Sequence, residues 1–386
     1  VFLPPGNYFI SNIRLPRRTT LIGVPGLTRL IYTGNGHLMM SEGAQHLEIS
    51  SIILDGANRG LASHSEALLA ITDAKNVVID NCQFIGSLER GIWIARSQGR
   101  IERSRVSGAS GECGIFAVEN TGLAIRDNEI TNCSNNGILV HRWTSGEDRT
   151  IVTGNRISNI SAAYGGTGPF GNGINVFRAD SVLIANNQIS DCAFSAIRSN
   201  AGNNVQINAN QCLRSGEMAI YSEFEFVGAT ITNNVVDGAG DGISIANFMQ
   251  GGRLAVCANN LVRNVTNTAP YIDDNETKGV GIYVEADTAV TGNVIENTDN
   301  YGMALGWGPY LRNIVATSNI IRNTKTGIYV SVVEGSGSTV ISDNVISGAT
   351  EGGIVGYRWR EPVTGEMGNG NGNAFEHLEI ERNRIS

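Results

Sequence analysis

At 386 residues the chain has room for two ordinary domains or one elongated repeat. Forty-eight glycines against eight prolines suit short strands and tight turns, and no run of about eighteen apolar residues offers a membrane-crossing helix. A net charge of −8 with no basic stripe excludes general nucleic-acid binding, while local arginines leave an acidic glycan open as a partner.

The opening residues, 1–46, alternate short apolar runs with Pro and Gly turns (LPPGNYFI, LPRRTTLIG, GLTRLIYTG). That pattern predicts irregular first coils covering the end of a solenoid, with Arg14, Arg17 and Arg18 as solvated turn residues. The chain starts at Val1 rather than Met, so upstream residues, a leader among them, are expected.

From residue 47 one element recurs: apolar-x-apolar, two residues, Asn, then an apolar pair. The Asn positions are 81, 128, 155, 187, 210, 234, 260, 293, 319, 344 and 383, with Ser104 in the gap after the first. The spacing is near 23 to 26 residues, with longer intervals where segments are inserted. Three short strands and their turns account for such a period, and stacked rungs bury a continuous core. One Asn per rung at one corner predicts a ladder of side-chain amides bonded up and down the stack.

A second element alternates with the first: Gly91-Ile-Trp-Ile, Gly114-Ile-Phe-Ala, Gly137-Ile-Leu-Val, Gly173-Ile-Asn-Val, Ala219-Ile-Tyr-Ser, Gly281-Ile-Tyr-Val and Gly327-Ile-Tyr-Val among others. A small residue, an Ile, and an aliphatic two places on is the period-two mark of a strand with one buried face. The cysteines at 82, 113, 133, 192, 212 and 257 lack C-x-x-C spacing. Cys133 and Cys192 share a column two turns apart, about 10 Å at ~4.8 Å per strand step, too far for a disulfide. Buried free thiols are expected.

These repeats resemble the right-handed parallel β-helix superfamily of pectate lyases, polygalacturonases, epimerases and phage tailspikes, over nearly the whole chain. The chain is also similar to bacterial repeat proteins exported by the twin-arginine route. The resemblance implies one all-β parallel β-helix domain over 1–386, a solenoid of about a dozen three-strand rungs, in a periplasmic or secreted protein. It also implies that the G-I-x-V strand carries the active face. No signature of a particular subfamily is present: N-T-D, G-H-G and R-I-K, D-P-H-D and R-x-P-x-x-R are all missing.

Two outward columns of the G-I-x-V strand concentrate His141, Arg198, Tyr221, Glu223, Tyr283 and Glu285 on its middle rungs. Insertions at 143–149, 161–172, 264–278 and 357–373 flank that face and are expected to wall a groove. Arg142, Trp143, Arg178, Asn200, Trp307, Arg358 and Trp359 are candidate substrate-binding residues there, the indoles as platforms for sugar stacking. Glu223 and Glu285, two rungs apart, suit an inverting glycosidase pair needing ~6.5 to 9.5 Å between carboxyls. A lyase acting on a uronate-containing glycan would instead use Arg198 or Arg142 to neutralise the sugar carboxylate and His141, Tyr221 or Tyr283 as base. Calcium bound by Asp273, Asp274 and Glu276 is a further option, without the D-x-D-x-D-G loop. The expectation is therefore an exported enzyme cleaving a polysaccharide, with hydrolysis placed ahead of elimination and a non-catalytic glycan-binding scaffold as the other class.

Overall fold

Alternating apolar residues force most of this chain into short strands, and the strands stack in register. The computed structural model describes residues 1–246, 253–271, 277–369 and 374–386. The fold is an all-β parallel β-solenoid of about 13 turns, with a short 3-10 turn at Gly308–Tyr310. It divides into two compact units, Val1–Phe194 and Ser195–Ser386.

In the first unit one rung consists of Val77–Asp80, Gln83–Ser87 and Arg90–Ala95. The next rung, Gly99–Glu102, Arg105–Ser107 and Ile115–Val118, lies parallel to it strand for strand. The Ile of each G-I element stacks on the next, Ile92 on Ile115, Ile115 on Ile138 and Ile138 on Ile174. The second unit repeats the arrangement through Ile197, Ile220, Ile243, Ile282, Met303, Ile328 and Ile354. These side chains are fully buried, each worth about 1.5–3 kcal/mol relative to exposure. The small residue before each Ile is explained by the close approach of successive corners. A Cβ on Gly137 would stand 2.5 Å from Gly173 O, and one on Gly281 2.5 Å from Gly302 O.

The amide ladder runs as expected within each unit. Asn128 Nδ2 donates to Asn155 Oδ1 and Asn155 Nδ2 to Asn187 Oδ1, both at 3.0 Å. In the second unit Asn210, Asn234, Asn260, Asn293, Asn319, Asn344 and Asn383 form the same chain of bonds. The residue before each rung's ladder position adopts left-handed backbone, including Asp127, Asn186, Asn233, Asn259 and Asp343, with Gly at 154 and 292. Asn and Asp tolerate that conformation and Gly adopts it freely, which accounts for the polar dipeptides in the sequence.

Three sequence expectations need correction. Asn81 is not in the ladder: it occupies the left-handed corner, and Cys82 takes the ladder position, its N–H donating to Ser104 Oγ at 3.0 Å. Residues 1–46 are not irregular coils, because Gly6–Ile10, Ile13–Leu15 and Arg18–Ile22 pair in parallel register with Thr28–Tyr32, Met39–Glu42 and His46–Ser50. Their prolines, and all their glycines except Gly6, lie outside these strands. The segment 143–149 is largely strand, since Asn136–Glu147 is continuous. Segment 161–172 is turn until strand resumes at Asn172, and Glu361–Glu366 pairs antiparallel with Val345–Arg358. All six cysteines are free and buried.

Candidate functional site

In the first unit, parallel register sets Val118 beside His141 and His141 beside Phe177. The outward face of these rungs is an aromatic cluster. The His141 ring stacks on Phe177 at 5.0 Å and meets the edges of Phe116 at 5.6 Å and Trp143 at 4.3 Å. Burial holds His141 below the ordinary histidine range, opposed by Glu112 and Glu119. Its Nε2 is buried without a hydrogen-bond partner. Arg142, expected to touch substrate, is used internally: it pairs with Glu119 at 2.8 Å and donates to Asn120 O and Glu147 O. Trp143 and Arg178, in contrast, are exposed. Nearby Asp148 is fully buried beside Thr150, and burial lifts its carboxyl from 3.8 to about 6.

In the second unit, strands Ile197–Asn200 and Met218–Glu223 place Arg198 beside Tyr221 and Asn200 beside Glu223. Arg198 Nε donates to Glu223 Oε1 at 2.6 Å, and Asn200 Nδ2 donates to the same oxygen at 2.8 Å. Glu223 is 1% exposed and Glu285 0%, so the two carboxylates expected to face a groove lie beneath the surface. The Arg198 guanidinium sits over the Tyr221 ring at 5.2 Å. Burial pushes the Tyr221 and Tyr283 hydroxyls well above the ordinary tyrosine range. A tyrosine base needs the opposite shift, so neither hydroxyl is prepared for the elimination role. Arg358 is bound to Glu334 at 2.6 Å on the surface. Asp273, Asp274 and Glu276 lie outside the described residues.

The structure gathers Tyr283 and Tyr329, both column residues, with others that the two sequence columns missed. A cavity of about 270 Å³ opens in the second unit, lined by the aromatic rings of Tyr283, Tyr301, Trp307, Tyr329 and Trp359. Trp307 and Trp359 meet edge to face at 5.5 Å, and Tyr329 OH donates to Trp359 O at 2.6 Å, pinning the hairpin wall. Asp241, Lys278 and Arg360 supply the charged part of the lining. Lys278 Nζ stands 3.7 Å from Asp241 Oδ2, and Val280 N–H donates to Asp241 Oδ1 at 2.9 Å. Beside this corner Glu217, 2% exposed, accepts from Tyr271 OH at 2.9 Å and lies 3.8 Å from Arg198 NH1. Burial raises the Glu217 carboxyl, against the pull of Arg198, Tyr271 and Lys278. Asp241 precedes the corner glycine, a third outward column that holds Ser195, Met218, Asp241 and Tyr301. Reading that column would have found it; Glu217, one residue earlier in a turn, carries no periodic signal.

The profile of a family described as a right handed beta helix region matches residues 29–157 and 142–253, together more than half of the chain. No curated protein matches it. Among solved structures, the Dettilon tailspike protein is similar at TM-score 0.48 and 15% identity, over 87% of this chain and 62% of that one. A periplasmic alginate epimerase is similar at TM-score 0.45 and 12% identity, over 99% and 78%. PfbA, a surface adhesin of Streptococcus pneumoniae, is similar at 0.46 and 13%, over 94% and 87%. The chain thus spans less than two thirds of the tailspike's length.

Proposed function

The chain belongs to the right-handed β-helix family, and on that footing we propose that it is a carbohydrate-active protein taking a saccharide into the aromatic cavity of its second unit. The observation that carries the reading is the lining itself: five aromatic rings around one space, with a carboxylate and two cations among them. A sugar ring has an apolar C–H face and a polar rim. Tyr and Trp match the face, and Asp241, Lys278 and Arg360 match the rim. The volume is at the small end of the ~300–1,000 Å³ typical of ligand sites, which suits one or two sugar rings rather than a long stretch of chain. An exported setting, where free glycans are met, is part of the same reading.

A second reading, glycoside cleavage in this cavity, is favoured by one feature. Burial raises the Glu217 carboxyl, while Asp241 stands 3.7 Å from Lys278 Nζ and accepts from the Val280 N–H. Two carboxyls in such unlike surroundings suit separate acid and base roles. Glu217 and Asp241 therefore replace Glu223 and Glu285 as the candidate pair.

The test is titration calorimetry with neutral and acidic oligosaccharides, followed by assays for new reducing ends and for the ultraviolet absorbance of unsaturated uronate. Binding that falls at least tenfold in Trp307→Ala and Tyr283→Ala supports the cavity. Reducing ends that vanish in Asp241→Asn and Glu217→Gln assign hydrolysis, and unsaturated product assigns elimination. Failure of every saccharide to bind at millimolar concentration refutes the proposal.

A further inference from the structure

We infer that the first unit carries a binding platform of its own for an acidic sugar, formed by the exposed indole of Trp143 and the guanidinium of Arg178. This rests on observations independent of the second unit's cavity. Trp143 is 62% exposed, an unusual position for the largest apolar side chain. Yet the backbone that presents it is held from both sides. Trp143 N–H donates to Glu119 Oε1 at 2.8 Å, and Trp143 O accepts from Arg178 NH1 at 3.2 Å. The preceding Arg142 is tied to Glu119, Asn120 O and Glu147 O. Behind the indole stand His141 and Phe177, packed ring on ring. An apolar face fixed before any ligand arrives binds at lower ordering cost than a mobile one.

Charge identifies the class of ligand. Arg178 lies 4.9 Å over the Phe177 ring and spends one nitrogen on Trp143 O, and no carboxylate among the described residues forms an ion pair with it. Two carboxylates of the adjoining rung are engaged elsewhere: Glu119 by Arg142 and the Trp143 N–H, and Glu147 by Arg149 and Ser181. In a chain of net charge −8 an arginine kept out of ion pairing beside an exposed indole fits a ligand that is both flat-faced and anionic. A pyranose bearing a carboxylate or a sulfate has that combination: its C–H face stacks on Trp143 and its anionic group reaches the fork of Arg178.

The full chain is titrated with a neutral oligosaccharide, an oligouronate and a sulfated oligosaccharide of matched length, by calorimetry and tryptophan fluorescence. Each is repeated on Trp143→Ala, Trp143→Phe and Arg178→Gln, with thermal melts as a check on folding. The expected result is tighter binding of one or both acidic ligands than of the neutral one. Trp143→Ala should weaken that event at least tenfold and Trp143→Phe restore most of it. Arg178→Gln should erase the preference for acid and the salt dependence. The uronate and sulfate arms tell the two anionic groups apart. Equal binding of neutral and acidic ligands, or acidic binding unchanged in both Trp143→Ala and Arg178→Gln, overturns the inference. Loss of binding in Trp307→Ala alone speaks only to the cavity of the second unit, so the two readings fail separately.

Discussion

Removal of one ladder amide tests whether the column of asparagines is a main source of stability. Asn234 is buried, and its side chain makes four hydrogen bonds. Its Oδ1 accepts from Asn210 N at 2.9 Å and from Asn210 Nδ2 at 3.1 Å, while its Nδ2 donates to Ile207 O and Asn260 Oδ1 at 3.0 Å each. Asn234→Ala removes all four and leaves the Asn210 backbone N–H buried without an acceptor. At ~1 kcal/mol net for each of the four bonds, the expected cost is at least about 4 kcal/mol, and the stranded donor adds to it. Amide exchange read at Asn210 should then accelerate by roughly a thousandfold, at about tenfold per 1.4 kcal/mol, provided that the corner opens locally. Asn234→Ser should recover part of this, because Ser104 shows a hydroxyl accepting the N–H of the rung before it. Urea unfolding of the three proteins supplies the comparison. A cost below about 1 kcal/mol for Asn234→Ala, or an unchanged Asn210 exchange rate, would refute the reasoning.

Asp148, lifted from 3.8 to about 6, binds its proton more tightly folded than unfolded, so its contribution is full below about 3.8 and lost as pH rises to about 6. Asp148→Asn should flatten that part of the stability profile, gaining up to about 3 kcal/mol near neutrality, as denaturant midpoints across pH 3.5 to 7 would show. Glu223→Gln removes the carboxylate bound to Arg198 Nε, leaves the buried guanidinium with Glu217 at 3.8 Å, and should cost about 3 kcal/mol in unfolding measurements, while saccharide binding in the cavity persists at temperatures where the variant is folded. The six cysteines should resist a thiol reagent in the native protein and all react after denaturation, since burial pushes Cys82, Cys133, Cys212 and Cys257 up to about 12 and raises Cys113 well above the ordinary thiol range.

The repeating core was readable because an Ile or Met in a column is buried whatever surrounds it, and the spacing of Ile92, Ile115 and Ile138 names the column directly. The ladder was readable for the same reason, apart from the one-residue shift at Asn81, where a left-handed corner and a ladder position both favour asparagine. The site was less so. Outward residues are exposed or covered according to segments from other rungs, and no periodicity foretells that. Glu223 sits in the column expected to be open, yet Arg198 and Asn200 close over it. Tyr301 was passed over, although it lines the cavity, because it precedes the corner glycine, one pleat before the columns that were read. Trp307 and Trp359 were found by type alone, as large rings near insertions.

The corner before each ladder position is closed twice, by left-handed backbone and by side-chain amides that reach the neighbouring rung. A foreign segment spliced between Asp127 and Asn128 would have to unmake both. The corner ahead of Gly173 spans eleven residues, 161–171, where the equivalent corners 132–135 and 193–196 use four, with the strands on either side intact. The protein therefore has a spine that resists editing and a margin that welcomes it, and new specificities can be grafted along that margin without disturbing the stack.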